Sequence, residues 1–191
     1  MNHTAHINTS PVTLGQFIRD GAAEIFSELE SQKLFTAAPG QFSLEQFQNS
    51  LIQAHGILSA RGILVRCGRA AFYTLLKNQG PGQGLLSKDF RFLPARKKIS
   101  QGLVYLAESL SEIYAAQVST SENDEAWWLR GRDCPFCQTT PSLSCYFTIG
   151  ILQEFMQWAT AGRIYRVTEV SCPTRGAEAC EIRIDRQPLE A

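Results

Sequence analysis

The fold of this chain is decided near its carboxyl end by the stretch RIYRVTEVSCPTRGAEACEIRID, residues 163–185. Residues 163–170 alternate apolar and polar side chains, and residues 179–185 alternate in the same way. A period of two predicts half-buried strands, and the glycine-containing loop between them predicts a hairpin. The carboxyl end is therefore expected to be a β-hairpin.

Most of the chain before this hairpin has a helical period instead. Residues 118–132 lack that period and are predicted to be extended, and Gly56 and Gly62 predict a helix break or a close contact between helices. Helices followed by strands, with one inserted helix, indicate an α+β fold in which N-terminal helices pack on a small antiparallel sheet. The predicted helices cover residues 11–35, 43–58, 62–78, 97–117 and 145–161. The expected organisation is a disordered tail at 1–10, a helical part at 11–117, a ligand-binding module at 118–186 and a second tail at 187–191.

Composition limits the possible partners and location. The 191 residues contain 18 Lys and Arg and 18 Asp and Glu, and this neutral balance argues against direct nucleic-acid binding. No apolar run approaches the roughly 18–20 residues that span a bilayer, so no membrane span is expected. Residues 1–10 lack the apolar core of a signal peptide, which predicts a cytoplasmic protein with reduced cysteines.

Three of the six cysteines and one carboxylate form a pattern typical of a closed metal site. Glu169 and Cys172 lie three residues apart, Cys180 follows a tight loop, and Cys145 opens a predicted helix. Three thiolates and one carboxylate suit a structural Zn²⁺ with no open position, which would tie the C-terminal hairpin. The competing interpretation is that these cysteines are small buried hydrophobes, as expected for Cys67.

Cys134 and Cys137 form a C-x-x-C pair with two further interpretations. They are alternative ligands alongside Cys172 and Cys180, or a secondary metal or redox site. A redox centre is less favoured because Pro141 and its neighbours resist the helix that would lower the pKa of the first thiol.

Aromatic residues crowd the chain from the third predicted helix onward and suggest an apolar pocket for a small molecule. Trp127 and Trp128 face opposite sides of a strand, so only one of them lines a cavity. No catalytic set is recognisable, so an enzyme is not favoured, and His55 is expected to be a hydrogen-bonded core residue. The candidate pocket residues are Phe72, Tyr73, Tyr105, Trp128, Phe147 and Phe155.

Three segments resemble the 4-vinyl-reductase domain, which is also the sensor module of phenol- and xylene-responsive activators. They are Asp133–Cys137, Ser144–Gly150 and Thr168–Ile182. The resemblance implies an α+β fold related to transport-particle subunits and distantly to haem nitric-oxide sensors, usually as a homodimer. It also implies zinc ligands at Cys145, Glu169, Cys172 and Cys180, the same set as chosen above.

The expected function is that of a stand-alone sensor or carrier with an enclosed apolar pocket. Its ligand would be a hydrophobic, aromatic or tetrapyrrole-like small molecule. One alternative is an accessory protein or vinyl reductase of (bacterio)chlorophyll synthesis. The other is a regulatory module that binds a partner protein.

Overall fold

The computed structural model describes residues 12–35 and 42–189, so the predicted tail at 1–10 and the last two residues lie outside the described part. The described residues form an α+β fold, as predicted. Its helices are α1 Leu14–Ala23, α2 Glu28–Leu34, α3 Leu44–His55, α4 Ile57–Asn78, α5 Lys88–Phe92, α6 Ala95–Tyr114 and α7 Tyr146–Ala159. Its strands are β1 Gln117–Glu122, β2 Ala126–Arg132, β3 Tyr165–Ser171 and β4 Cys180–Pro188.

The predicted helix at 11–35 is two helices, and the prediction of one continuous element was wrong. The Ser27 hydroxyl accepts a hydrogen bond from the Glu30 amide, while the Glu30 carboxylate accepts one from the Ser27 amide. This reciprocal pair starts a new helix at residue 28. The apolar period continues across the break and therefore hid it.

Helices α4 and α7 form the centre of the fold, and two glycines set their distance. A Cβ at Gly68 would lie under 3.0 Å from the carbonyl oxygen of Phe147, and one at Gly150 would lie equally close to that of Val65. The two backbones therefore approach as closely as only glycine permits. Gly56 and Gly62 predicted a helix break or a close contact. The break is at Gly56, between α3 and α4, and the close contact is at Gly68, since a Cβ at Gly62 would have no neighbour within 4 Å.

The four described strands form one antiparallel sheet in the order β1-β2-β4-β3. The predicted extended region at 118–132 is itself a hairpin, since β1 pairs with β2. Trp127, Ile182 and Val167 are buried on the inner face of the sheet. Glu169 follows Val167 on the same face, since side chains two residues apart share one face of a strand.

Helices and sheet share one hydrophobic core. It joins Phe17 of α1 and Leu64 of α4 to Phe147 of α7 and Ile182 of β4. None of the described helices is long and apolar enough to cross a membrane.

Candidate functional site

Five of the six cysteines converge where the sheet meets α7. Cys134 and Cys137 lie in a 3₁₀ turn after β2, and Cys145 is the residue immediately before α7. Cys172 directly follows β3 and precedes another 3₁₀ turn, and Cys180 begins β4. All five are buried. We call them the thiol cluster.

The sulfur atoms of the thiol cluster are in direct contact. Cys145 Sγ lies 3.3 Å from Cys137 Sγ and 2.7 Å from Cys180 Sγ. Cys172 Sγ lies 3.2 Å from Cys137 Sγ. The sulfur of Cys134 lies within 4.8 Å of those of Cys137 and Cys145. The C-x-x-C pair and the C-terminal cysteines thus lie in one cluster rather than at two separate places.

The surroundings of the cluster raise the pKa of some of its thiols and lower the pKa of others. Hydrogen bonds from Cys145, and next from Thr174, lower the pKa of Cys172 to about 4. Hydrogen bonds from Cys137 and Cys145 lower the pKa of Cys180 to about 6. Hydrogen bonding to Cys137 raises the pKa of Cys134 to about 12. Both lowered pKa values favour the thiolate form of these two cysteines, and buried negative charge is costly without a cation.

Glu169 lies at the edge of the cluster. One of its carboxylate oxygens is within 4.8 Å of the sulfurs of Cys145 and Cys180. Burial, and next the charge of Cys172, raises the pKa of this carboxyl. Its Oε1 accepts a hydrogen bond of 2.6 Å from Arg175, and the hydroxyl of Ser144 donates to both carboxylate oxygens. Glu169 thus already has two partners outside the cluster.

A buried glutamine holds the loop that carries Cys137 and Cys145. Gln48 of α3 is fully buried, and its Nε2 donates to the carbonyl of Leu143 at 3.3 Å. Its Oε1 accepts from the Thr139 hydroxyl at 2.6 Å and from the Thr140 amide at 3.3 Å. The sequence analysis missed this residue. The available signal was a polar residue beside Phe47 in the apolar stripe of α3.

Replacing Gln48 with leucine is expected to lower the free energy of unfolding by about 2–3 kcal/mol, since buried polar groups of the loop lose their partners. The fixed position of Cys137 should also loosen, which predicts weaker binding of any metal ion added to the cluster. Urea unfolding and competition with a chelator measure the two effects. Gln46→Leu, on the exposed side of the same helix, is the control, and equal losses in both variants would argue against the anchoring role.

The six predicted pocket residues do not line a common cavity. Phe72, Phe147 and Phe155 are fully buried in the core, whereas Tyr73 is 53% exposed and donates a hydrogen bond to Glu154. Tyr105 is half-buried on α6.

The choice between the two tryptophans was wrong. Trp127 is 2% exposed on the inner face, whereas Trp128 lies on the outer face with the Arg183 guanidinium 5.7 Å from its ring centre. His55 is also not a core residue, because it is exposed at the end of α3 with its ring stacked on Phe26.

The comparisons with known proteins show a fold and no family. No protein-family profile matches the sequence, and no curated protein matches it. An H-NOX protein from S. oneidensis, in the Fe(II)NO ligation state, is 12% identical with a TM-score of 0.57, covering 91% of this chain and 99% of that one. An H-NOX structure described in terms of heme distortion is 10% identical with a TM-score of 0.56, covering 94% and 98%. Trafficking protein particle complex subunit 3 from Naegleria fowleri, covalently bound to palmitic acid, is 12% identical with a TM-score of 0.55, covering 78% and 96%.

These findings correct two predictions. Assignment to the 4-vinyl-reductase family was wrong, because no family profile matches and the similar structures are mainly H-NOX domains. Zinc as the cofactor was also wrong, since the H-NOX neighbours are described with iron or heme. The cluster itself differs from the predicted zinc set, because five sulfurs and a carboxylate converge rather than four donors. The alternative of a pigment-pathway reductase has no support in these comparisons.

Heme, the group named for an H-NOX neighbour, does not fit the residues present. The enclosed space beside the thiol cluster, bounded by Tyr114, Leu129 and Thr148, measures about 10 Å³. Ligand pockets generally need about 300 Å³ or more. Phe136 stacks on Phe147 with ring centres 5.3 Å apart and fills the space between α7 and the loop. His55, the only histidine in the described residues, is exposed.

Proposed function

We propose that this chain is a small-molecule sensor domain built around a single metal ion held by cysteine thiolates. The observation that carries the proposal is the contact of four buried sulfurs from separate segments, in the order Cys172, Cys137, Cys145 and Cys180. The fold that the chain shares with H-NOX proteins supports the proposed role as a sensor domain.

The spacing of the sulfurs favours one ion over a larger cluster. Two sulfurs bound to the same tetrahedral ion at about 2.3 Å lie roughly 3.8 Å apart. The observed separations of 2.7–3.3 Å are shorter than that value by up to about 1 Å, so sulfurs in contact are near enough to share one ion. An iron–sulfur cluster places bridging sulfides between its cysteines and holds their sulfurs farther apart.

We assign the four ligands as Cys137, Cys145, Cys172 and Cys180, with Glu169 outside the coordination shell. The lowered pKa values of Cys172 and Cys180 already favour the thiolate form that a soft ion requires. Glu169 is instead held by Arg175 and Ser144, which places a compensated carboxylate beside the centre. Residues that surround metal ligands in this way orient the ligands and adjust the affinity of the site for its ion.

Elemental analysis of untagged protein, purified under reducing conditions, tests this proposal. The expected result is one thiophilic metal ion per chain and thiols that resist alkylation until a chelator removes the ion. Apo-protein should take up Co²⁺ with the intense near-ultraviolet absorption of thiolate–cobalt bonds. Metal-free protein whose Cys145 and Cys180 form a disulfide under mild oxidation would instead make this a redox cluster.

Two variants decide the ligand set. Cys137→Ser is expected to abolish stoichiometric binding of the ion, because a ligand is removed. Glu169→Gln is expected to keep one ion per chain with an affinity lowered by no more than roughly 10–100-fold, because only a neighbour of the ligands is changed. Chelator competition measures both affinities. The opposite order, with loss of metal only in Glu169→Gln, would give Glu169 the fourth position in place of Cys137.

A further inference from the structure

A surface groove of about 380 Å³ adjoins the thiol cluster. Ser144 and Glu169 belong both to the groove and to the edge of the cluster, and Arg175 lines the groove beside them. The volume is within the range of about 300–1,000 Å³ typical of small-molecule sites. We call it the outer groove.

Part of the wall of the outer groove is apolar, and the rest carries polar or charged side chains, Gln153 among them. Val65 of α4, Ile149 of α7 and Val167 of β3 line it together with the ring of Tyr146. Three separate elements of the packed core thus form a surface onto which an aromatic ring or a short aliphatic chain can pack. Packing such a group onto this surface favours binding, because apolar surface is removed from water.

Two arginines supply positive charge to the same groove. The Nε of Arg61 donates to the carbonyl of Ser142 at 2.9 Å, and its guanidinium carbon lies 5.3 Å from the centre of the Tyr146 ring. These contacts fix the half-buried side chain and leave its terminal amino groups available. Within residues 12–35 and 42–189, no carboxylate forms an ion pair with Arg61. An oriented guanidinium is the protein group best suited to bind a carboxylate through two hydrogen bonds.

We propose that the outer groove binds a small amphipathic carboxylate, whose anionic group pairs with Arg61 and whose apolar part packs on Val65, Ile149 and Val167. This inference rests on the proposed sensor function and gives it a ligand class. Arg175 connects the two sites, because it lines the groove and donates to Glu169 at the edge of the thiol cluster. A ligand carboxylate that attracts Arg175 competes with Glu169 and so alters the surroundings of the thiolates.

Amide chemical-shift titrations of the whole chain test the ligand class with two matched pairs of probes: benzoate with benzamide, and hexanoate with hexanamide. The expected result is that the acids shift the amide resonances of Tyr146, Ile149 and Val167, while each neutral amide binds at least about tenfold more weakly, since a hydrogen bond to a charged group is lost. Equal binding of acid and amide, or no shifts at these positions with any probe, would overturn the proposal.

Arg61→Gln and Arg66→Gln are the matched variants on helix α4. Arg66 is exposed and lies outside the outer groove. Arg61→Gln should weaken binding of the acids about tenfold and Arg66→Gln should leave it unchanged, with the spectrum of each variant reporting that it is folded. Unchanged binding in folded Arg61→Gln would contradict the proposed contact. Metal content measured on the same samples separates the two proposals, because a metal-loaded chain that binds no acid refutes only the ligand class.

Discussion

Replacing Cys145 with serine is expected to abolish stoichiometric metal binding and to lower the free energy of unfolding by about 3–5 kcal/mol, as for a buried charge pair that loses one partner. Cys145 is central to the cluster, since its sulfur contacts those of both Cys137 and Cys180. In the proposed centre, the remaining thiolates then lose the ion that would compensate their charge. Elemental analysis and denaturant unfolding of the purified variant measure the two effects.

Cys67→Ser is the matched control for this experiment. Cys67 is as deeply buried as Cys145 but lies in α4, outside the thiol cluster, and burial raises its pKa to about 12. It is therefore a neutral core residue, and serine there should cost about 1–3 kcal/mol for an unsatisfied hydroxyl while metal content stays unchanged. Similar losses of stability in both variants, with the metal retained in both, would refute the role of Cys145.

Replacing Gly150 with alanine is expected to lower the free energy of unfolding by about 3 kcal/mol or more, at or beyond the upper end of ordinary overpacking. The new Cβ would collide with backbone atoms of Val65, and backbone cannot rotate away as a side chain can. Helices α4 and α7 would have to separate, which displaces Cys145 at the start of α7 and predicts weaker metal binding as well. Thermal and denaturant unfolding measure the stability, and chelator competition measures the affinity for the metal ion.

Gly62→Ala, on helix α4, is expected to change the free energy of unfolding in the opposite direction. A Cβ at Gly62 would have no neighbour within 4 Å, so alanine should stabilise the chain by about 0.5–1 kcal/mol through its helix propensity. A neutral Gly150→Ala variant, or a strongly destabilising Gly62→Ala variant, would show that the described helix contact is incorrect.

The sequence predicted those helices and strands that are specified by residues close together in the chain. The side chain of Ser43 accepts a hydrogen bond from the Gln46 amide at the start of α3, where the predicted helix at 43–58 begins. The alternation in residues 163–170 and 179–185 likewise predicted β3 and β4, which pair as a hairpin. The break between α1 and α2 was not predicted, because the apolar period continues through it. Only the reciprocal hydrogen bonds of Ser27 and Glu30 reveal it.

The candidate site was predicted in part, for a physical reason. Glu169, Cys172 and Cys180 lie close in sequence, so the geometry of a hairpin sufficed to group them. Predicting that Cys137 joins them needs the packing of a turn against α7, which brings its sulfur to that of Cys145. Predicting the role of Gln48 needs the position of α3 beside the loop that this side chain holds. The aromatic pocket was an inference from composition, and composition does not distinguish a filled core from a cavity.

By itself the sequence determined the α+β class, the hairpin and the cysteines that this hairpin brings near Cys145, because propensity, period and spacing act over a few residues. Only the tertiary structure decided that five thiols form one cluster, that phenylalanines fill the space a heme would need, and that Arg61 lines a groove beside Glu169. Those arrangements depend on side chains distant in sequence and on the close approach of α4 and α7 at two glycines. Packing between elements, rather than any local pattern, sets them.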